Sequence, residues 1–301
     1  MTLKPKHNNH ESLKDSLKFD ESDIYPSNIA ESMLDISTLP KHFLRRFTQE
    51  EMHSMMEKTG LIKHLKNMGF KSLITEIDVD DAGINYMKLF WEEKTHAKQL
   101  LDIRLSETMF LPESKYFPQD ADILPYNMIN IEWLSAKNPL RAFDGHKPQL
   151  PGQANPGLGV LKFCFKVLYI MAKQVFKDGF IDIPNHMHGA IMYSKQFKFF
   201  DPVHEGIIRA VIRDLNGYAL NDISWGIITE TIIDLEKDKP IVYDPGVQIH
   251  YVSRRMKRYF NSKQYKETYN FYYKKKRYKL DYEEMIKRKE GILLLKKIED
   301  L

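Results

Sequence analysis

The segment Leu150-Pro151-Gly152-Gln153-Ala154-Asn155-Pro156-Gly157-Leu158-Gly159 sets three glycines and two prolines directly before an amphipathic run. Within residues 160–177 the apolar side chains fall at Leu161, Cys164, Val167, Leu168, Met171, Ala172 and Val175, while Lys162, Lys166, Lys173 and Lys177 share the other side. That spacing predicts a helix opened by a glycine-permissive loop. Free backbone N–H groups at such a start, with the helix dipole behind them, suit an anion, most often a phosphate. A Pro/Gly-rich surface loop is the plainer reading of the same residues.

Other chemistry-bearing residues give weaker signals. His186 and His188 have a spacing that can share zinc on a strand, but no cysteine or carboxylate set completes the site. Asn185 precedes an expected helix start, so capping and surface polarity are expected there and no metal. The sequence holds no GxSxG, Walker A or CxxC pattern. Its single cysteine, Cys164, lies on the apolar side of the expected helix. A buried structural thiol is expected there, and an intrachain disulfide is excluded.

These residues sit in a chain of 301 residues with 43% hydrophobic and 12% aromatic content, enough for a sizeable core. The net charge of +4 is mild, and its distribution says more than its size. Residues 251–280 carry eleven lysines and arginines against one acid, Glu267, with nine aromatics interleaved. Such a segment could neutralise phosphates and stack bases, or lie on an anionic membrane. Two amphipathic helices with aromatics turned to the core and lysines solvated are the favoured expectation. The start, Met1-Thr2-Leu3-Lys4-Pro5-Lys6-His7, leads into polar sequence, and no long uncharged apolar run follows. Neither a secretory signal nor a transmembrane segment is expected, and the expected compartment is the cytoplasm.

The elements that must position the loop follow from periodicity. Residues 1–32 read as a flexible arm, and Met33 to Ile36 as a short strand. Thr48-Gln49-Glu50-Glu51 has capping-box spacing, with Met52, Met55 and Met56 at helical intervals behind it. A second short helix is predicted over Leu61 to Met68. Strands are predicted over Ser72 to Val79, Ile84 to Trp91, Gln99 to Met109 and a central Met128 to Leu134, with Asp80 to Gly83 as a turn. After the glycine loop and its helix come a buried strand at Phe180 to Ile183, a short helix over Met187 to Gln196 and a strand at Phe197 to Phe200. Val203 to Leu215 reads as helix, and the β-branched run Trp225 to Ile233 as the last strand.

This order, together with Gln153 to Gly159, Phe180-Ile181-Asp182-Ile183, Asn185 and Gly189 to Phe199, resembles the GCN5-related N-acetyltransferase (GNAT) superfamily. The resemblance covers residues 33–235 and is specific only over 127–200. It implies an α/β fold with a mixed, mostly antiparallel sheet flanked by helices, here over 33–245, followed by a basic helical extension over 246–301. In that superfamily a central strand splays from its neighbour to admit the pantetheine arm, and the next loop wraps the CoA pyrophosphate with backbone amides. Carried over, Gln153, Gly157, Leu158, Gly159 and Val160 would bind acetyl-CoA or a longer acyl-CoA. Gln153 stands one residue further from Gly157 than the superfamily spacing has it. Tyr193, in Ile191-Met192-Tyr193-Ser194-Lys195, matches the tyrosine that protonates the departing thiolate.

Glu132 on the central strand could take a proton from an amine, directly or through water, or stand as a solvent-facing strand acid. Asn138, Arg141, Asp144 and His146 lie on the loop beside the slot, with Asp144-Gly145 first of all a turn signal. The implied activity is transfer of an acyl group from a CoA or carrier-protein thioester to an amine. A non-catalytic binding protein of the same fold, using residues 251–280 on nucleic acid or an anionic membrane, is the alternative.

Overall fold

The computed structural model describes residues 42–117 and 123–301. The expected arm and the Met33–Ile36 strand lie outside them.

In chain order the helices α1 (Gln49–Lys58) and α2 (Leu61–Asn67) precede the strands β1 (Leu73–Val79), β2 (Asn85–Trp91), β3 (Gln99–Phe110) and β4 (Tyr126–Ala136). The capping box forms as its spacing predicts: Thr48 Oγ1 accepts from Glu51 N, and the Glu51 carboxylate accepts from Thr48 N. Met52, Met55 and Met56 on the buried side of α1 then join the core. The chain continues through α3 (Leu161–Gln174), β5 (Gly179–Asp182), α4 (Met187–Tyr193), β6 (Lys198–Phe199), α5 (Pro202–Asp214) and α6 (Leu220–Ile228). Then come β7 (Ile232–Asp234), β8 (Lys239–Pro240), β9 (Gln248–Tyr251), α7 (Arg254–Asn261), α8 (Lys263–Lys275), β10 (Tyr278–Leu280) and α9 (Tyr282–Leu293).

Among the described residues seven strands form one sheet in the order β1-β2-β3-β4-β5-β9-β6, and β10-β7-β8 form a smaller one. Of these described strand pairs β4 and β5 run parallel and the others antiparallel. The helix α3 makes that parallel pair possible, since a crossover must return the chain to the starting end. Its buried side, Cys164, Phe165, Val167, Leu168, Met171 and Ala172, packs in one core with Met52 and Met56 of α1 and with Ile103, Leu105, Ile129 and Ile131 of the sheet. Burying each large side chain contributes about 1.5–3 kcal/mol, so α3 is held by this face rather than by propensity.

Residues 246–301 are built into both sheets. The strand β9 lies between β5 and β6, and β10 pairs with β7. Tyr259, Phe260 and Tyr265 of α7 and α8 are buried against Tyr126, Met128, Ile181 and Ile249 on the side of the sheet away from α3. Gly206 of α5 lets α8 come close: a Cβ there would sit 2.8 Å from Tyr272 Cβ.

The run Trp225 to Ile233 is not a single strand. Its first four residues, with Leu220 to Ser224 before them, form α6, and only Ile232 and Ile233 enter β7. The Asp222 carboxylate accepts from Ala219 N and starts the helix. Coiling then buries Ile223, Ser224, Trp225 and Gly226 together. A Cβ on Gly226 would lie 2.7 Å from Leu280 Cδ1, so tertiary packing outweighs β-branched propensity.

The basic run Lys274 to Arg277 is also not a uniform surface face. Lys276 points inward, with Nζ 2.8 Å from Asp234 and 2.9 Å from Glu236. Replacing Lys276 by Met should leave the buried Asp234 carboxylate without its main partner and cost about 3–5 kcal/mol in urea unfolding. A loss below about 1 kcal/mol would mean that water screens the pair.

Candidate functional site

The local feature that sets this region apart is the parting of β4 and β5. They pair over Met128–Gly179, Ile129–Phe180 and Asn130–Ile181, and there the pairing ends. Among the described residues no strand accompanies β4 on that side from Ile131 to Ala136. The register of β3 with β4 shifts at the same point: Leu105 pairs with Ile131 and Arg104 with Trp133, which leaves Glu132 as the extra residue of a bulge. Beyond β4, Asn138 N donates to Pro156 O at 2.7 Å, and Lys137 bridges to Gly157. The glycine loop is thereby tied to the free end of β4, next to the start of α3.

The residues of that loop divide by role. Leu158 and Val160 are buried in the core, so only their backbone can serve a ligand. Val160 is the N-cap of α3 and supplies no side-chain cap; Phe163 N turns back to Val160 O at 2.8 Å, so only the N–H groups before it lack an intrahelical partner. Gly159 has φ +70°, the left-handed region, with nothing within 4 Å of where a Cβ would stand. Gly157 has ordinary backbone, and a Cβ there would make van der Waals contact at 3.9 Å with Ala136 O and Gln153 Nε2. The Gln153 side chain holds the loop itself, its Oε1 accepting from Leu150 N at 3.1 Å.

Tyr193, the last residue of α4, is partly buried, edge-on to Phe165 at 5.4 Å and stacked on Phe197 at 5.5 Å. Burial, aided by Asp182 and Cys164, raises its phenol well above the ordinary range, so it keeps its proton. Glu132 is exposed, and its carboxylate accepts from Ser106 Oγ at 2.5 Å and Asn130 Nδ2 at 2.8 Å. Strand parity puts Ile129 and Ile131 in the core with α3 and Glu132 on the opposite face. Tyr193 packs on the α3 core, so the structure does not bring these two residues together. On the long loop the Asp144 carboxylate closes the expected turn, accepting from His146 N and Lys147 N, and His146 is exposed.

His186 and His188 stack with centroids 5.1 Å apart. Among the described residues no group of three or more metal-ligating side chains is gathered. Burial, with His186 beside it, pushes His188 down to about 4, so it is neutral at pH 7.

A polar cluster that periodicity did not mark lies under α4. Antiparallel pairing sets Asp182 opposite Gln248 and Phe180 opposite His250, so Asp182, Gln248 and His250 share one face. Gln248 Nε2 donates to Ala190 O at 3.1 Å, and His250 Nδ1 donates to Gln196 O at 2.8 Å. Asp182 Oδ2, Gln248 Oε1 and His250 Nε2 are buried without a hydrogen-bond partner. A carboxylate inside a short apolar strand was the one available sequence signal. Gln248 and His250, distant in the chain, gave none.

Burial pushes the Asp182 carboxyl up to about 7 from 3.8. The folded state thus binds this proton more tightly than the unfolded chain. The stability it gives is complete below pH 3.8 and is lost as pH rises through about 7. Buried His188 and His250, both lowered, act in the opposite sense as pH falls. Against Asp182→Asn, the wild type should therefore lose stability, on the order of 4 kcal/mol, between about pH 4 and 7. Parallel stability–pH curves for the two proteins would show that water reaches the carboxylate.

The basic-aromatic segment turns most of its rings inward. Tyr259, Phe260, Tyr265 and Tyr278 are buried, and Phe271 is the most exposed ring at 57%. A cavity of about 640 Å³ lies between α7, the start of α8 and Tyr116, Phe117 and Tyr126, away from the glycine loop. No described helix is long and apolar enough to cross a membrane.

No protein-family model, curated protein or solved structure matches the chain.

Proposed function

We propose that the protein is a GNAT-like N-acyltransferase, moving an acyl group from a CoA or carrier-protein thioester to an amine. The observation that carries this reading is the parallel β4–β5 pair, which parts after three residue pairs beside a glycine loop opening onto the uncapped start of α3. Two strands that part beside backbone donors are what a pantetheine arm and a pyrophosphate would need, which supports the reading. Gly157, Leu158, Gly159 and Val160 offer backbone N–H groups to the pyrophosphate, with Gln153 fixing the loop from within.

Tyr193, held protonated by burial, supplies the proton for the departing thiolate. Glu132 serves as proton acceptor only for an amine that enters from the open face of the sheet. Direct attack by the amine requires orientation and proton transfers and no enzyme nucleophile, which suits the buried Cys164, whose thiol burial pushes up to about 12. The binding-only alternative loses support from the inward-facing rings and from Lys276 being engaged inside.

Free thiol release from acetyl-CoA and longer acyl-CoA, measured with a thiol-reactive dye against a panel of primary amines, tests the reading. Amine-dependent release should exceed the uncatalysed rate. Absence of release across the panel, by a protein that also fails to bind any of the thioesters, would overturn it.

A further inference from the structure

Three buried side-chain atoms without a hydrogen-bond partner lie on one face of β5 and β9. They are Oδ2 of Asp182, Oε1 of Gln248, which is directly paired with it, and Nε2 of His250, two residues along β9 on the same face. Gln248 Oε1 and His250 Nε2 are held as acceptors, and Asp182 Oδ2 is one when the carboxyl is ionised. The Gln248 amide is oriented by its Nε2–H to Ala190 O. Because His250 Nδ1 spends its hydrogen on Gln196 O, Nε2 of the neutral ring carries a lone pair. Such atoms are costly to bury unless a donor reaches them.

Asp182 is also the first residue of β5 beyond its last pair with β4, at the opening itself, and only partly buried as a residue. Tyr193 of α4 stands close enough for the Asp182 charge to raise its phenol. The geometry points to a seat for a primary ammonium group at Asp182, Gln248 and His250, in which the acceptor amine of the proposed acyl transfer is bound and gives a proton to Asp182. Its catalytic part rests on the acyltransfer reading; the binding part stands on the three acceptors. An ammonium carries three N–H donors, one for each of them. A hydroxyl brings one.

The proton balance closes. The ammonium gives one proton to the Asp182 carboxylate, and the nitrogen lone pair forms the C–N bond at the thioester carbonyl. The C–S bond breaks with its electron pair on sulphur. Tyr193 gives its proton to the thiolate and recovers the second N–H proton from the new amide nitrogen. The products are the amide, the free thiol and the proton on Asp182, which passes to solvent. Glu132, on the other face and bonded by Ser106 and Asn130, then has a structural role.

The test is a melting titration of the whole protein with n-butylammonium chloride, with n-butanol and sodium chloride at matched concentrations as controls. Saturable stabilisation by butylammonium alone is expected, weakened at least tenfold in Asp182→Asn. A charged hydrogen bond lost from such a seat is worth a factor on the order of 10 to 100. Equal response to butanol, no saturation, or full retention in Asp182→Asn overturns the seat. If Asp182→Asn does not fold, the contrast between butylammonium and butanol on the wild type decides alone. Acyl-CoA is titrated in parallel. Stabilisation by the thioester without butylammonium refutes the seat and spares the acyltransfer reading, and the reverse result does the opposite.

Discussion

Gly159→Val should abolish stabilisation by CoA thioesters while lowering the melting temperature by only a few degrees. At φ +70° a side chain is strained by about 1–2 kcal/mol, but no neighbour within 4 Å obstructs the new Cβ. For a unit of this size about 1 kcal/mol corresponds to roughly 2–4 °C. Relief of the strain reorients the peptide units on either side, among them the N–H groups proposed to meet the pyrophosphate. Gly157→Ala is the paired experiment, because its backbone is unstrained and its Cβ would find only ordinary contacts at 3.9 Å. Unchanged stability with reduced thioester affinity in Gly157→Ala would mark close approach of a ligand to that backbone. Full retention of thioester binding in Gly159→Val would remove the loop from the site.

Tyr193→Phe should lower turnover by about 10²-fold, the scale of a positioned general acid, and leave thioester binding and melting nearly unchanged. The ring's contacts with Phe165 and Phe197 survive the substitution, and among the described residues the phenol has no hydrogen-bond partner to lose. The deficit should shrink for thioesters whose leaving thiol is more acidic, because such thiolates need less protonation. A folded Tyr193→Phe protein with wild-type turnover would make the tyrosine a packing residue.

The local signals in the sequence were strong where one physical cause acts alone. Thr48 and Glu51 make their capping box because both partners lie within one turn. The strands β1 to β4 follow their alternation, and α3 follows its apolar stripe. The run Trp225 to Ile233 misleads because its β-branched residues are placed by distant contacts: Gly226 against Leu280, and Ile232 against the returning strand β10. The interior position of Lys276 is likewise set by Asp234, 42 residues away.

The candidate site divides in the same way. Its loop and helix start are contiguous and could be read directly. Asp182, Gln248 and His250 become neighbours only when β9 inserts beside β5 across 65 residues of intervening chain, counted from the residues between Asp182 and Gln248. The residue chosen from its strand position, Glu132, faces away from Tyr193 because the side chains of β4 alternate and its bulge then turns Glu132 outward.

The central claim is that the opening between β4 and β5 receives a CoA thioester. Melting of the wild-type protein against free CoA and acyl-CoA from acetyl to palmitoyl tests it most directly. A ligand at 100 times its Kd should stabilise by about 2.7 kcal/mol, or roughly 5–10 °C for a protein of this size. The account predicts such a rise, saturable, for at least one chain length and absent in Gly159→Val. No rise with any thioester, or the same rise in both proteins, would contradict it.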